Sequence, residues 1–203
     1  MPDASRIANT LASRANGLDR YLRRMEQLLA AAQIPLRDVE RAYSGGFLEF
    51  HAFLERSIEN LFVSLLRRRL THSSARVRPL IAVNSDIVAH RIVAGERRYA
   101  DWLPFGRLTI KRAEAFFSSG LPFSALENTD QSSFDELSTV RNALAHHSAA
   151  SVRAFRSRFI EGKFIAPAEH RPAAYLRGLH TVGQTRMNYL LSRAVVTMNK
   201  LCG

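Results

Sequence analysis

The sequence predicts an all-α protein. Apolar residues recur at spacings of three and four along most of the chain, and few stretches alternate as a half-buried strand does. Pro35, Gly45-Gly46, Gly120, Pro167 and Pro172 punctuate these periodic segments. The expected architecture is a helical bundle with an irregular middle. Residues 1–45 form an N-terminal helical extension and residues 46–203 the main helical domain.

Each element follows from its pattern. Residues 4–33 carry Ile7, Leu11, Leu18, Leu22, Met25 and Leu29 as one stripe, closed by Pro35. Leu36 to Tyr43 reads as a short helical piece before Gly45-Gly46. Residues 47–70 give the clearest helix: Phe47, Phe50, Leu54, Ile58, Leu61 and Leu65 line one face, beside Phe62 and Leu66. Arg67, Arg68 and Arg69 are expected in its last turn, where the helix dipole favours cations. Residues 72–106 are broken by Pro79, Gly95, Pro104 and Gly106, and I-V-A-H-R-I-V-A suits helix or strand alike. A helix over 108–117 ends at Gly120. The next starts at Ser133, where S-F-D-E matches a capping box, and its core stripe is Phe134, Leu137, Val140 and Leu144. A basic segment at 150–165 has no clear form. The last helix spans about 173–201.

Charge narrows the function. The 203 residues hold 29 Lys+Arg against 18 Asp+Glu, a net +11, which points to an acidic partner: RNA, DNA or an anionic surface. With 46% hydrophobic and 23% charged residues the composition is that of a soluble globular protein. No apolar run nears the roughly 20 residues of a membrane span, and the N-terminus shows no secretory pattern. One cysteine, Cys202, excludes an intrachain disulfide and any zinc site built on several thiolates, so a cytoplasmic location is expected. There is no phosphate loop of the G-x-x-x-x-G-K type and no nucleophile elbow.

Residues 138–148, S-T-V-R-N-A-L-A-H-H-S, hold the main candidate. Arg141 lies at the border of the core stripe, and Asn142 and His146 lie one turn apart on the exposed side. On an ideal helix Arg141 and His146 sit about 140° apart around the axis and roughly 7.5 Å apart along it, so they do not touch. They converge only if the arginine wraps, if the helix loosens near Ser148, or if two copies face each other across a twofold axis.

This stretch resembles the HEPN superfamily, whose signature is Arg, four to six residues, then His, often as Arg-Asn-x-x-Ala-His near a helix end. Arg141-Asn142-Ala143-Leu144-Ala145-His146 fits the stricter form, and A-F-F-S-S-G-L-P-F upstream is similar to the approach to it in some HEPN groups. The resemblance covers residues 47–160. It implies a metal-independent endoribonuclease with no cofactor, acting as a homodimer, often a toxin or phage-defence effector neutralised by an antitoxin or paired with a nucleotidyltransferase. The chemistry agrees with it. RNA brings its own nucleophile, the 2′-OH; a histidine such as His146 is the side-chain type suited to taking its proton; Arg141 offers a fixed forked cation to the phosphate. Asn142 is expected to orient the histidine or bind a phosphate oxygen.

Supporting residues have two readings each. His147 is a helix-end cation or a second catalytic imidazole. Glu55 and Glu59 are solvated carboxylates or partners that hold Arg141. Arg67, Arg68, Arg69, Arg153 and Arg156 are solvated faces or RNA-phosphate contacts. The remaining histidines, including His51, show no ligand spacing. The rivals are a non-catalytic module of the same fold that binds RNA, nucleotide or a protein partner, and a DNA-binding protein. The second lacks helix-turn-helix spacing.

Overall fold

A computed structural model describes residues 2–98, 100–146 and 148–203. The chain is all-α: α1 (Ser5–Ala30), α2 (Leu36–Leu66), α3 (Asp86–Ala94), α4 (Lys111–Phe116), α5 (Asn128–Ala145), α6 (Ala149–Phe159), α7 (Pro172–Arg177) and α8 (Arg186–Cys202). Among the described residues one antiparallel ladder, β1 (Leu179–Thr181) with β2 (Gln184–Thr185), sits between α7 and α8. Among the described residues no helix is long and apolar enough to cross a membrane.

The chain divides into two compact units, and the division does not fall after residue 45. The first unit is Met1–Ala12, Phe53–Asp135 and Ala194–Gly203; the second is Ser13–Ala52 and Glu136–Arg193. Residues 1–45 therefore contribute to both. Nor do Gly45-Gly46 interrupt α2, which runs through them. Each glycine weakens a helix by about 1 kcal/mol. Burying Tyr43 and Phe47 on either side offsets this. Gly46 also has a packing reason: a Cβ there would meet Leu18 Cδ1 of α1 at 2.5 Å.

In the first unit the core is built on the end of α2. Leu54, Ile58, Leu61, Phe62, Leu65 and Leu66 are all buried, as the periodicity predicts. The Phe62 ring lies 5.0–6.0 Å from Trp102, Phe116, Phe117 and Phe123. At the start of α1, Leu11 of the predicted stripe is buried together with Ala8 and with Ala4 just before the helix, two small side chains that a search for large apolar residues overlooks. Short backbone pairings fix the irregular middle. The Ala4 amide donates to the Thr71 carbonyl and Thr71 to Pro2; Leu80 donates to Phe116 and Ser118 to Arg78. The ambiguous I-V-A-H-R-I-V-A is helical, as α3, with Asp86 in its first turn and Gly95 at φ 65 closing it. The segment expected as one helix over 108–117 is a π-helical turn, Gly106–Ile110, followed by α4.

Three further expectations are corrected. Ser133 does not cap α5. The helix starts at Asn128, and the Ser133 hydroxyl instead donates to the Asp130 carbonyl at 2.8 Å beside Thr197. Asp130 supplies the first-turn carboxylate and takes Lys200 at 2.9 Å. Leu144 is only half-buried, and Ala143 takes its place in the core. The helix expected over 173–201 breaks at Gly178, where a side chain would collide with the Arg186 guanidinium and the Glu169 carboxylate. Arg186 reaches across that gap to Glu169 at 2.7 Å and to the Tyr175 carbonyl at 3.2 Å. Gly183, at φ 80, supports the turn between β1 and β2.

The second unit joins α1 and α2 to α6, α7 and the start of α8. Leu22, Val39, Tyr43, Phe47 and Phe50 are buried there. Arg177 of α7 grips Glu26 of α1 with two bonds, 2.8 and 2.9 Å. The basic segment of unclear form is α6, and Phe155 and Phe159 pack on Tyr175 at 5.5 and 5.2 Å.

Candidate functional site

The candidate site lies wholly in the second unit, where α5 ends and α6 begins. The helix stops at Ala145. The His146 amide still bonds the Asn142 carbonyl at 2.9 Å, though His146 itself lies past the last helical residue. Ser148, at φ −72 and ψ 144, caps α6, its Oγ accepting the Ser151 amide at 3.2 Å. Two helices thus meet over three residues, and His146 stands at the junction, exposed, free of the helical direction a mid-helix side chain obeys.

This junction brings Arg141 and His146 together. Arg141 Nη1 lies 3.1 Å from His146 Nε2 and donates to Asn142 Oδ1 at 3.0 Å. One guanidinium nitrogen carries two hydrogens, one for each neighbour. The convergence therefore occurs within one chain, and the twofold arrangement is not needed to create it. Asn142 acts on the arginine rather than on the histidine. Because arginine only donates, Nε2 is the acceptor in this contact, which puts the imidazole proton on Nδ1.

Beneath the site lies a residue that the sequence reading passed over. His51, on α2, is 4% exposed. Its position was legible: 47, 51, 54 and 58 continue one apolar stripe at three-four spacing. Burial first, and then the positive charge of Arg141, hold its imidazole down at about 4, against 6.5 for a free one. The sign follows. Above pH 6.5 both folded and unfolded chains keep His51 neutral. As the pH falls from 6.5 towards 4, the unfolded chain takes up a proton that the folded one refuses, and stability is lost, by about 3 kcal/mol at the bottom of that window. We expect urea midpoints to fall more between pH 7.5 and 4.5 in the wild type than in His51→Gln. Equal falls would show that His51 does not carry this acid sensitivity.

The other candidates separate. Glu59 is taken by His90, Oε1 to Nδ1 at 2.9 Å, a partner that neither of its two readings named. Glu55, also on α2, is half-buried in the first unit. His147 lies outside the described residues. The three consecutive arginines follow α2 rather than forming its last turn, and they divide. Arg67 is buried and paired with Asp86, with a bond to the Asn84 carbonyl at 2.6 Å; Arg69 pairs with Asp86 at 3.0 Å. Arg67 and Arg69 are both taken up by Asp86, and among the described residues Arg68 has no ion-pair partner. On α6, Arg153 and Arg156 are exposed one turn apart, with no acidic partner among the described residues. Arg158 and Arg193 instead hold Glu136, at 3.4 and 2.7 Å.

Comparison with models of known families, with curated proteins and with solved structures found no match to this chain.

Proposed function

We propose that this chain is a HEPN-type endoribonuclease that cuts RNA through the RNA's own 2′-OH. The observation that carries this reading is the three-residue contact in which one arginine nitrogen bridges Asn142 Oδ1 and His146 Nε2. An incoming phosphate competes for the guanidinium, because an anionic oxygen is the stronger acceptor. Its arrival draws Arg141 off the imidazole and frees Nε2. His146 then takes the 2′-OH proton, the 2′-oxygen bonds to phosphorus, and the bond from phosphorus to the 5′-oxygen breaks. The departing oxygen leaves with a proton from water. Arg141 neutralises charge on the non-bridging oxygens, and Asn142 keeps it in place. Arg153 and Arg156, on the helix that starts beside the site, hold neighbouring phosphates. These parts supply both proton transfer and charge stabilisation, so the reaction calls for no metal. The same resemblance brings the wider reading: a homodimer in the cytoplasm, acting as a toxin or phage-defence effector, with an antitoxin or a nucleotidyltransferase-type partner.

One observation favours a second reading. A histidine whose Nε2 already holds a donor also suits a purely structural helix end, as in a non-catalytic module that binds RNA, nucleotide or a protein partner. The two separate in one assay. Single-stranded RNA incubated with the protein in EDTA is expected to be cut, leaving 2′,3′-cyclic phosphate and 5′-hydroxyl ends, while the same strand with 2′-deoxy sugars stays whole. Intact RNA, or 5′-phosphate ends, rules the nuclease out.

A further inference from the structure

We infer that the cavity at the end of α2, in the first unit, is a binding site for a phosphomonoester, presented either by a free nucleotide or by the terminus of an RNA strand. The cavity is about 490 Å³, room for a nucleotide-sized ligand rather than a lone ion. It is distinct from the Arg141–His146 site and does not depend on that site's being catalytic.

Its charge is one-sided. Arg68 and Arg78 both line it, both are exposed, and neither has an ion-pair partner among the described residues. No acidic residue lines it. Two unneutralised guanidiniums match a doubly charged monoester, and each offers the planar fork that phosphate oxygens accept from. Ser74 lines the cavity too; its Oγ accepts the Arg76 amide at 3.3 Å and keeps its hydroxyl hydrogen to donate. Leu65, Leu70 and Val77 supply an apolar wall suited to a sugar or base.

The walls are built beforehand. His72 spends both ring nitrogens on them: Nδ1 accepts the Ser74 amide at 3.0 Å, so Nε2 donates to the Leu201 carbonyl at 3.2 Å. The Thr71 backbone pairs with residues 2–4, and the Arg78 carbonyl accepts the Ser118 amide at 2.9 Å.

The backbone at Arg68 is left-handed. Its amide bonds the Leu65 carbonyl at 2.9 Å, and the Arg69 amide bonds that of Ser64 at 2.8 Å, the double bond pattern that ends a helix in a left-handed residue. Arg68 holds that place at φ 54. Glycine is the usual occupant, because a side chain is strained there. Arg68 is thus an arginine at a glycine position, with its side chain on the cavity. It also supplies a clean test, since Arg68→Gly removes the charge and relieves the backbone together.

Binding is measured on His146→Ala protein, so that RNA stays uncut whether or not the nuclease reading holds. The probes are adenosine 5′-monophosphate, by calorimetry, and one short single-stranded RNA with either a 5′-phosphate or a 5′-hydroxyl, by fluorescence anisotropy. At least one monoester is expected to bind, and Arg68→Gly and Arg78→Gln each to weaken it by about tenfold or more. The unfolding midpoint of Arg68→Gly should stay level or rise. Binding of the mononucleotide alone identifies a small-molecule ligand. A preference for the 5′-phosphorylated strand, without mononucleotide binding, identifies an RNA end. If neither monoester binds, or if both arginine variants bind as their parent does, the site does not exist.

Discussion

His146→Ala slows RNA cleavage by about 10²- to 10⁴-fold, the range for losing a general base, with helix content unchanged. The imidazole is exposed and lies beyond the last helical residue, so its removal opens no cavity. Arg141→Ala costs about 10²- to 10³-fold, the size of one lost charge-stabilising donor. The double variant falls no further than the worse single one by more than a few-fold, because the two groups act on one phosphate. Arg141→Lys is informative in between: it keeps the charge, but an ammonium cannot serve Asn142 and a phosphate with the same planar geometry. Asn142→Ala loosens the arginine without removing it, and its rate should lie above both alanine singles. Single-turnover cleavage of a labelled RNA, with circular dichroism as the folding control, measures all of these. Cleavage at the wild-type rate by His146→Ala would end the catalytic reading of this residue.

Phe62→Ala destabilises the first unit by about 3–5 kcal/mol, and a denaturant titration should show it as a large drop in midpoint. The ring is fully buried and packs against four aromatic neighbours, Trp102, Phe116, Phe117 and Phe123. Its loss leaves a space that rigid rings from three different segments cannot fill by small shifts. Phe164→Ala is the matched control. That ring is 110% exposed, and its removal should change stability by less than about 0.5 kcal/mol. A small effect at Phe62 would mean that the cluster is loosely packed and does not organise the irregular middle.

The contrast between these two phenylalanines marks where reading the sequence succeeds. Phe62 belongs to a periodic stripe, and every large apolar residue assigned to that stripe is buried. Phe164 belongs to no pattern. His51 was equally readable, a polar residue on that same stripe, yet a search for ligand spacing passes it by. The signature from Arg141 to His146 was also visible, as residue types at a spacing. Its geometry was not, because an ideal helix keeps the two apart, and whether the helix stops at Ala145 depends on the cap that Ser148 gives the next one.

The sequence by itself determined the all-α class, the buried face of α2 and the residues proposed to carry the chemistry, since periodicity and residue type are local properties that survive in a short window. Tertiary structure decided the rest. Gly45-Gly46 stay helical because Tyr43 and Phe47 are buried around them, whereas Gly178 breaks a helix because Arg186 must pass it to reach Glu169. Arg67 and Arg69 are absorbed by Asp86 and Arg68 is left over, though the three are adjacent and identical in type. The physical reason is common to all of these. A glycine or an arginine has several outcomes of similar local free energy, and a partner distant in sequence supplies the kilocalorie or so that selects one.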